Sequence, residues 1–409
     1  MNRNIYLYGI SGIYNYGCEA MVRSISKCLT DRIDNCCVIY ETYDYENDKR
    51  RLNDCTKVKV EAIRPAKRSF FQRGLRFLRR KLKIAKPEDY VSIRLDWLET
   101  CDLLIIIGGD VFDLTPTQKN KKSYDNDRLF VSEIAKRKGS KVALWGISIG
   151  NFESNIFARN SLLDYFKKIV DFGAIRDKNS VQFLTNYGIN NIGLFADPAF
   201  IQRTVQTDEL HKDVLGINLS PLANNYLRCK NEQDDWALKW ADVISLVFQR
   251  LNYKRIYLIP HVVNQRIPSD DDLGFLKRVY EILLNRNLPV TLIGDCLGFL
   301  SIKPFLCECD LILSARMHCA INAITCGVPT VFLSYSPKSI GMCNYVYGNE
   351  KMVLDMNSLI NKERIDEIVA ISDRTDEIRS FLKIRNVELL KDAENAANIL
   401  IRTVFDEVD

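Results

Sequence analysis

Arg316 and His318 stand two positions apart near the end of the apolar run in CDLILSARMHCAINAITCGVPTVFLSY (309–335), in a chain with three histidines among 409 residues. Arginine presents a rigid fork suited to phosphate or carboxylate, and an imidazole carries or releases a proton near neutral pH. If residues 311–315 form a strand, both side chains fall at its carboxyl end or on the first turn of the next helix. Free backbone N–H groups there favour an anion. A capped helix start with a hydrogen-bonded histidine is the competing structural reading. The continuation GVPTVFLSYSPKS adds a second cation, Lys338, after the next apolar run.

Other polar or glycine-rich stretches also follow apolar runs. IPH (259–261) places His261 at such an end, as the rival proton donor, and ADPAF (196–200) places Asp197 at another. GISGIYNYGCEAM (9–21) reads as a strand-to-helix turn with Asn15 and Gly17 in the turn and Glu19 in the first helical turn. It is neither a P-loop nor a GxGxxG fingerprint. It serves either as a loop whose N–H groups approach ligand or as a structural turn. In GGDVF (108–112), Gly108 and Gly109 allow close backbone approach and Asp110 can accept a hydroxyl proton; GISIGN (146–151), with Ser148, repeats that geometry. Arg176 and Asp177 end the run FGAIRD, with Ser180 in the helix that follows; a structural Arg–Asp pair and a ligand contact both fit.

Such residues must be positioned by something, and the pattern supplies it. Strand-like runs (5–10, 37–43, 57–63, 103–109, 141–150, 172–177 and 192–200) alternate with amphipathic helical segments, which predicts a parallel sheet covered on both faces. The polar segment QRTVQTDELHKD (202–213) interrupts the alternation. It then restarts with runs at 214–220, 255–261, 289–294, 310–316 and 329–335, before a helical tail from about Thr375 to Phe405. The expectation is an α/β protein with two Rossmann-like domains, 1–205 and 206–409, in a glycosyltransferase-B-like arrangement with ligand between them at the strand ends.

Composition narrows the classes. With 47% hydrophobic and 27% charged residues and a net charge of +5, the chain reads as globular and not as a general nucleic-acid binder. No apolar stretch approaches the ~18 residues of a membrane span, and the N-terminus has no signal-peptide pattern, so a cytoplasmic location is expected. The 13 cysteines lack paired CxxC spacing and read as reduced, mostly buried thiols. No cofactor or metal is called for. One segment departs from the mild average: RPAKRSFFQRGLRFLRRKLKIAKP (64–87) interleaves phenylalanines and leucines with arginines and lysines and contains no acidic residue. A basic amphipathic helix of this kind suits an anionic membrane surface; an RNA- or nucleotide-binding segment and a solvated helix packed on the first domain are the alternatives.

The ordered series GISGIYNYGCEAM, GGD, GISIGN, IRDKNSVQFLTNYG, ADPAF, IPH and CDLILSARMHCAINAITCGVPTVFLSYSPKSIGM resembles the polysaccharide pyruvyl transferase family. The C-terminal block carries the resemblance most specifically, with Asp310, Arg316, His318, Gly327, Pro329, Tyr335 and Lys338 in register. Met317 stands where that family usually has Leu, and GGD where it has a more glycine-rich turn. The resemblance implies transfer of a pyruvyl group from phosphoenolpyruvate onto two sugar hydroxyls, giving a cyclic ketal and phosphate during capsule or exopolysaccharide synthesis. It associates Arg316 and His318 with the phosphoenolpyruvate site, matches Lys338 to a Tyr-x-x-Lys-type stretch, and permits a lipid-linked oligosaccharide acceptor. On that reading the first domain takes the acceptor and the second the donor. A nucleotide-sugar glycosyltransferase and a non-catalytic sugar-binding protein of polysaccharide assembly are the rival functions on the same outline.

Overall fold

Each expected apolar run carries a strand in the computed structural model, which describes residues 3–82, 84–115, 117–202, 213–224, 226–227, 235–294, 298–335 and 337–405. β1 (Arg3–Tyr8), β2 (Cys36–Thr42), β3 (Val58–Ala62), β4 (Leu103–Ile107), β5 (Lys141–Ile147), β6 (Phe172–Ile175) and β7 (Ile192–Leu194) form one sheet in the order β3-β2-β1-β4-β5-β6-β7. Every pairing in it is parallel. Its central strand β4, LLIII, is buried along its whole length, as a sheet covered on both faces requires. On one face Leu104, Ile106, Val142 and Leu144 pack with Leu129, Val131 and Ile134 of the helix Asp127–Arg137 and with Leu162 and Phe166 of the helix Ile156–Lys168.

A second all-parallel sheet contains β8 (Val214–Asn218), β9 (Arg255–Leu258), β10 (Val290–Leu292), β11 (Leu311–Ser314), β12 (Thr330–Ser334) and β13 (Val353–Asp355), ordered β10-β9-β8-β11-β12-β13. β13 was not expected. In both sheets the strand order reverses once, between β1 and β4 and between β8 and β11. Ligands of doubly wound sheets bind outside the carboxyl ends of the strands at such a reversal.

The chain divides into two compact units, Met1–Gly12 with Met21–Pro198 and Ala393–Asp409, and Ile13–Ala20 with Ala199–Asp392. This corrects the simple division at 205/206 in two places. Residues 13–20 belong with the second unit because they pair with the segment after β9: Asn15 bridges Val262, and Tyr16 N–H donates to the His261 carbonyl at 3.0 Å. The end of the helix Thr375–Phe405 belongs with the first unit, where Arg32 Nε donates to Asn398 Oδ1 at 2.9 Å and the Arg3 guanidinium lies 4.8 Å from the Phe405 ring centroid. The expected linker falls almost wholly on residues 203–212, outside the described residues.

Strands end earlier than the sequence runs do. LLIIIGG stops at Ile107, where Gly108 takes φ +117°, and DLILSAR stops at Ser314. The residues beyond those ends are loop and helix-cap positions, and they carry the polar groups of interest.

Candidate active site

In the second unit the reversal point is built by β8 and β11, with Ser314 beside Asn218 in register. Asn218 is fully buried, and its Oδ1 accepts the Arg316 backbone N–H at 2.9 Å. That bond turns the chain out of the sheet, so Arg316 becomes the N-cap of the helix Met317–Thr325 and His318 falls in its first turn.

The Arg316 side chain folds onto the loop after β9. Nε and Nη2 donate to Asp272 Oδ1 at 3.0 and 2.8 Å, and Nη2 also donates to Asp270 Oδ1 at 2.7 Å. Among the described residues Nη1 has no hydrogen-bond partner. Burial works against the charge on Arg316, but Asp272 and Asp270 outweigh it and hold the guanidinium above its ordinary range. Tyr14 stands near the same group. Its phenol is pushed up by burial first, then by Cys18 and Asp270, against the pull of Arg316.

His318 is half-buried and its ring lies against the Gly17 backbone. A Cβ at Gly17 would fall inside the ring atoms, so only glycine permits that approach. The turn bearing Gly17 is held by Asn15, whose Oδ1 accepts the Gly17 N–H at 2.9 Å. Glu19 is buried, and its Oε2 accepts the Phe299 N–H at 3.0 Å. His261 is fully enclosed, edge-on to Tyr16 at 5.4 Å and to Phe299 at 5.9 Å, with Asn322 Nδ2 3.5 Å from Nε2. Lys338 lies in the first turn of the helix Pro337–Tyr347, and Tyr335 is tilted against Tyr226 at 5.3 Å.

A second cluster occupies the strand ends of the first unit. Arg176, buried at the end of β6, donates from Nε to Ser148 Oγ at 2.9 Å and from Nη1 to Asp197 Oδ2 at 2.8 Å; Asp110 Oδ1 lies 3.4 Å from Nη2. Burial disfavours the charge here as well, and Asp197 and then Asp110 more than restore it. Asp197 is wholly buried while the Asp110 side chain is 57% exposed, so one carboxylate anchors the arginine and the other faces out. Gly109 is pressed against the guanidinium and tolerates no side chain. The sequence pairing of Arg176 with Asp177 does not form: Asp177 caps the helix Lys178–Asn186 and accepts the Ser180 N–H at 2.8 Å. An open cavity beyond the ends of β1, β2 and β3 is lined by Tyr8, Tyr43, Tyr90, Asp127 and Arg128, among others.

The structure thus brings Asn15, Gly17, Glu19, His261, Arg316 and His318 together in the second unit, and Gly108, Gly109, Asp110, Ser148 and Arg176 in the first. Sequence reasoning missed Tyr14, Asn218, Asp270 and Asp272. The run SDDDLGF did signal a helix start, and Asp271 does cap the helix Asp272–Asn285, accepting the Gly274 N–H at 3.2 Å. Nothing in that run told which of its carboxylates would turn toward Arg316.

Two parallel Rossmann-like sheets, each with a polar cluster at its reversal point, define a glycosyltransferase-B-like α/β fold. Similar solved structures include the UDP-GlcNAc 2-epimerase of Neisseria meningitidis (TM-score 0.56, 11% identity, 99% of this chain and 100% of that one). A glycosyltransferase of Rickettsia africae (0.56, 12%, 99% and 99%) and the calicheamicin glycosyltransferase CalG4 (0.54, 12%, 100% and 100%) share the fold too. At such identities the likeness concerns fold alone. The model of the family "Polysaccharide pyruvyl transferase" matches residues 15–337, and the chain belongs to that family. It is 24% identical over 310 residues to the amylovoran biosynthesis protein AmsJ of Erwinia amylovora, covering 72% of this chain and 71% of the relative.

Proposed function

We propose that the chain transfers a pyruvyl group from phosphoenolpyruvate to two hydroxyls of one sugar, forming a cyclic ketal and releasing phosphate. The observation that carries the reading is the contrast between two histidines. His318 is half-buried at the β8/β11 reversal point, on a glycine that leaves room for its ring, whereas His261 is fully enclosed among aromatic rings. That difference supports His318 as the histidine that meets substrate.

His318 delivers a proton to C3 of the enol, which makes C2 an oxocarbenium-like electrophile. A sugar hydroxyl adds to C2 and loses its proton, the C2–O bond to phosphate breaks, and the second hydroxyl closes the ring. Of the two hydroxyl protons, one restores His318 and one leaves with phosphate. Lys338, the N–H groups opening the helix Met317–Thr325 and Nη1 of Arg316 hold the donor's charges. Asp270 and Asp272 keep the arginine fixed, so it contributes one edge of its fork. The first unit takes the acceptor. Its cavity offers tyrosine faces for a sugar ring, and Asp110 is an exposed carboxylate able to accept a hydroxyl proton.

Purified full-length protein incubated with phosphoenolpyruvate and a glycan acceptor in deuterium oxide should release phosphate and label the ketal methyl. Nucleotide release from a nucleotide sugar, with no turnover of phosphoenolpyruvate, would overturn the proposal.

A further inference from the structure

The helix Phe70–Lys81 is mounted back to front for a surface helix. Such helices ordinarily turn their apolar stripe to the core. Here Arg76, Arg79 and Arg80 reach the protein. Arg76 Nε donates to the Asp89 carbonyl at 2.8 Å, Arg80 bonds the same carbonyl, Arg79 lies 3.7 Å from the Asp89 carboxylate, and the Arg80 guanidinium sits 4.6 Å from the Tyr90 ring centroid. The apolar side chains point to solvent: Phe70 is 93% exposed, Phe71 78% and Phe77 71%, with Leu78, Leu82 and Ile84 also out. At about 100° per residue, those on the helix fall within one arc of roughly 120°.

The mount is fixed at the N-terminal end of the helix. Ser69 and Gln72 form a capping box at the helix start, Pro65 bridges Ile93, and Ala66 N–H donates to the Ser92 carbonyl at 2.9 Å. Exposed cations lie along the same segment: Arg64, Lys67, Arg73, Lys81 and Lys86. Residues 64–87 contain no carboxylate.

We propose that this helix seats the protein in the interface of an anionic lipid bilayer, its phenylalanines at the acyl boundary and the surrounding cations among the headgroups. The charge decides among occupants. A second copy would set the same cations against each other, and a nucleic acid would leave the phenylalanines in water. A helix of 12 residues is too short to span a bilayer, and among the described residues no helix is long and apolar enough to cross one. The inference rests on this helix and not on the proposed reaction.

The test is sedimentation of the full chain with phosphatidylcholine vesicles, with and without phosphatidylserine. Binding should require phosphatidylserine and weaken with salt. Phe70→Ser, Phe71→Ser and Phe77→Ser combined should lower partitioning roughly tenfold or more, with thermal unfolding unchanged. Arg73→Glu with Lys81→Glu should remove the preference for anionic lipid. Arg76 and Arg80 are left intact because they hold the helix in place. Equal vesicle binding by the triple-serine variant, or no binding by the wild type, overturns the proposal. So does self-association in analytical ultracentrifugation that the triple variant abolishes, which would make a second copy the occupant.

Discussion

Asp272 receives the Arg316 fork on one oxygen, from Nε at 3.0 Å and Nη2 at 2.8 Å, while its other oxygen accepts the backbone N–H groups of His261 and Val262 at 3.1 and 3.0 Å. One buried carboxylate therefore ties the end of β9 to the end of β11. Arg316 has a structural load as well as a proposed donor contact. Arg316→Ala should lower unfolding free energy by about 3–5 kcal/mol, the cost of stranding a buried charge, read as a fall in the urea midpoint. Arg316→Lys should recover only part of that, since a point charge cannot serve both carboxylates through a planar fork.

His318→Gln should reduce turnover roughly 10²–10⁴-fold with little change in donor affinity, as expected for a lost acid–base group. His261→Gln should instead destabilise the fold and leave turnover per folded molecule largely intact. Steady-state rates set beside thermal unfolding separate the two, and the reverse pattern would make His261 the proton donor.

Gly17→Ala tests the seat of the histidine. The added methyl must displace the His318 ring or the turn, so kcat should fall at least tenfold, with the unfolding temperature kept within a few degrees. An unchanged rate would mean that the ring position is not catalytic.

The first-unit cluster predicts a split between two carboxylates on one arginine. Asp197→Asn leaves Arg176 buried without its closest countercharge and should cost about 3–5 kcal/mol in chemical denaturation. Asp110→Asn, on the exposed side, should cost under ~1 kcal/mol yet impair turnover with the acceptor.

Burial pushes the Cys28 and Cys36 thiols up to about 11 and those of Cys101 and Cys319 to about 12. At pH 8 they should remain protonated and resist iodoacetamide in the native protein, then react after unfolding. Peptide mass mapping reads this directly. Rapid native alkylation of Cys319, wholly buried beside the proposed donor site, would show that the helix Met317–Thr325 opens.

The amino-acid sequence by itself determined the layers and the places where chemistry could sit. Continuous, β-branched apolar runs such as LLIII and LILS, alternating with amphipathic helices, fit strands buried on both faces, which puts the polar residues after them at carboxyl ends. Arg316, His318, Asp110 and Arg176 were legible for that local reason. Which group meets which was not legible, because ion pairs form between segments far apart in sequence: Arg316 chose Asp270 and Asp272 across 46 and 44 positions, and Arg176 chose Asp197 over its neighbour Asp177. Strand order decides those meetings, and the order of parallel strands leaves no trace in the periodicity of any one strand. The same limit applied to the segment 64–87. Its sequence specifies an amphipathic helix, but an amphipathic helix has two faces. Only the carbonyl of Asp89, placed by the tertiary fold within reach of Arg76 and Arg80, turned the basic side inward and the phenylalanines out.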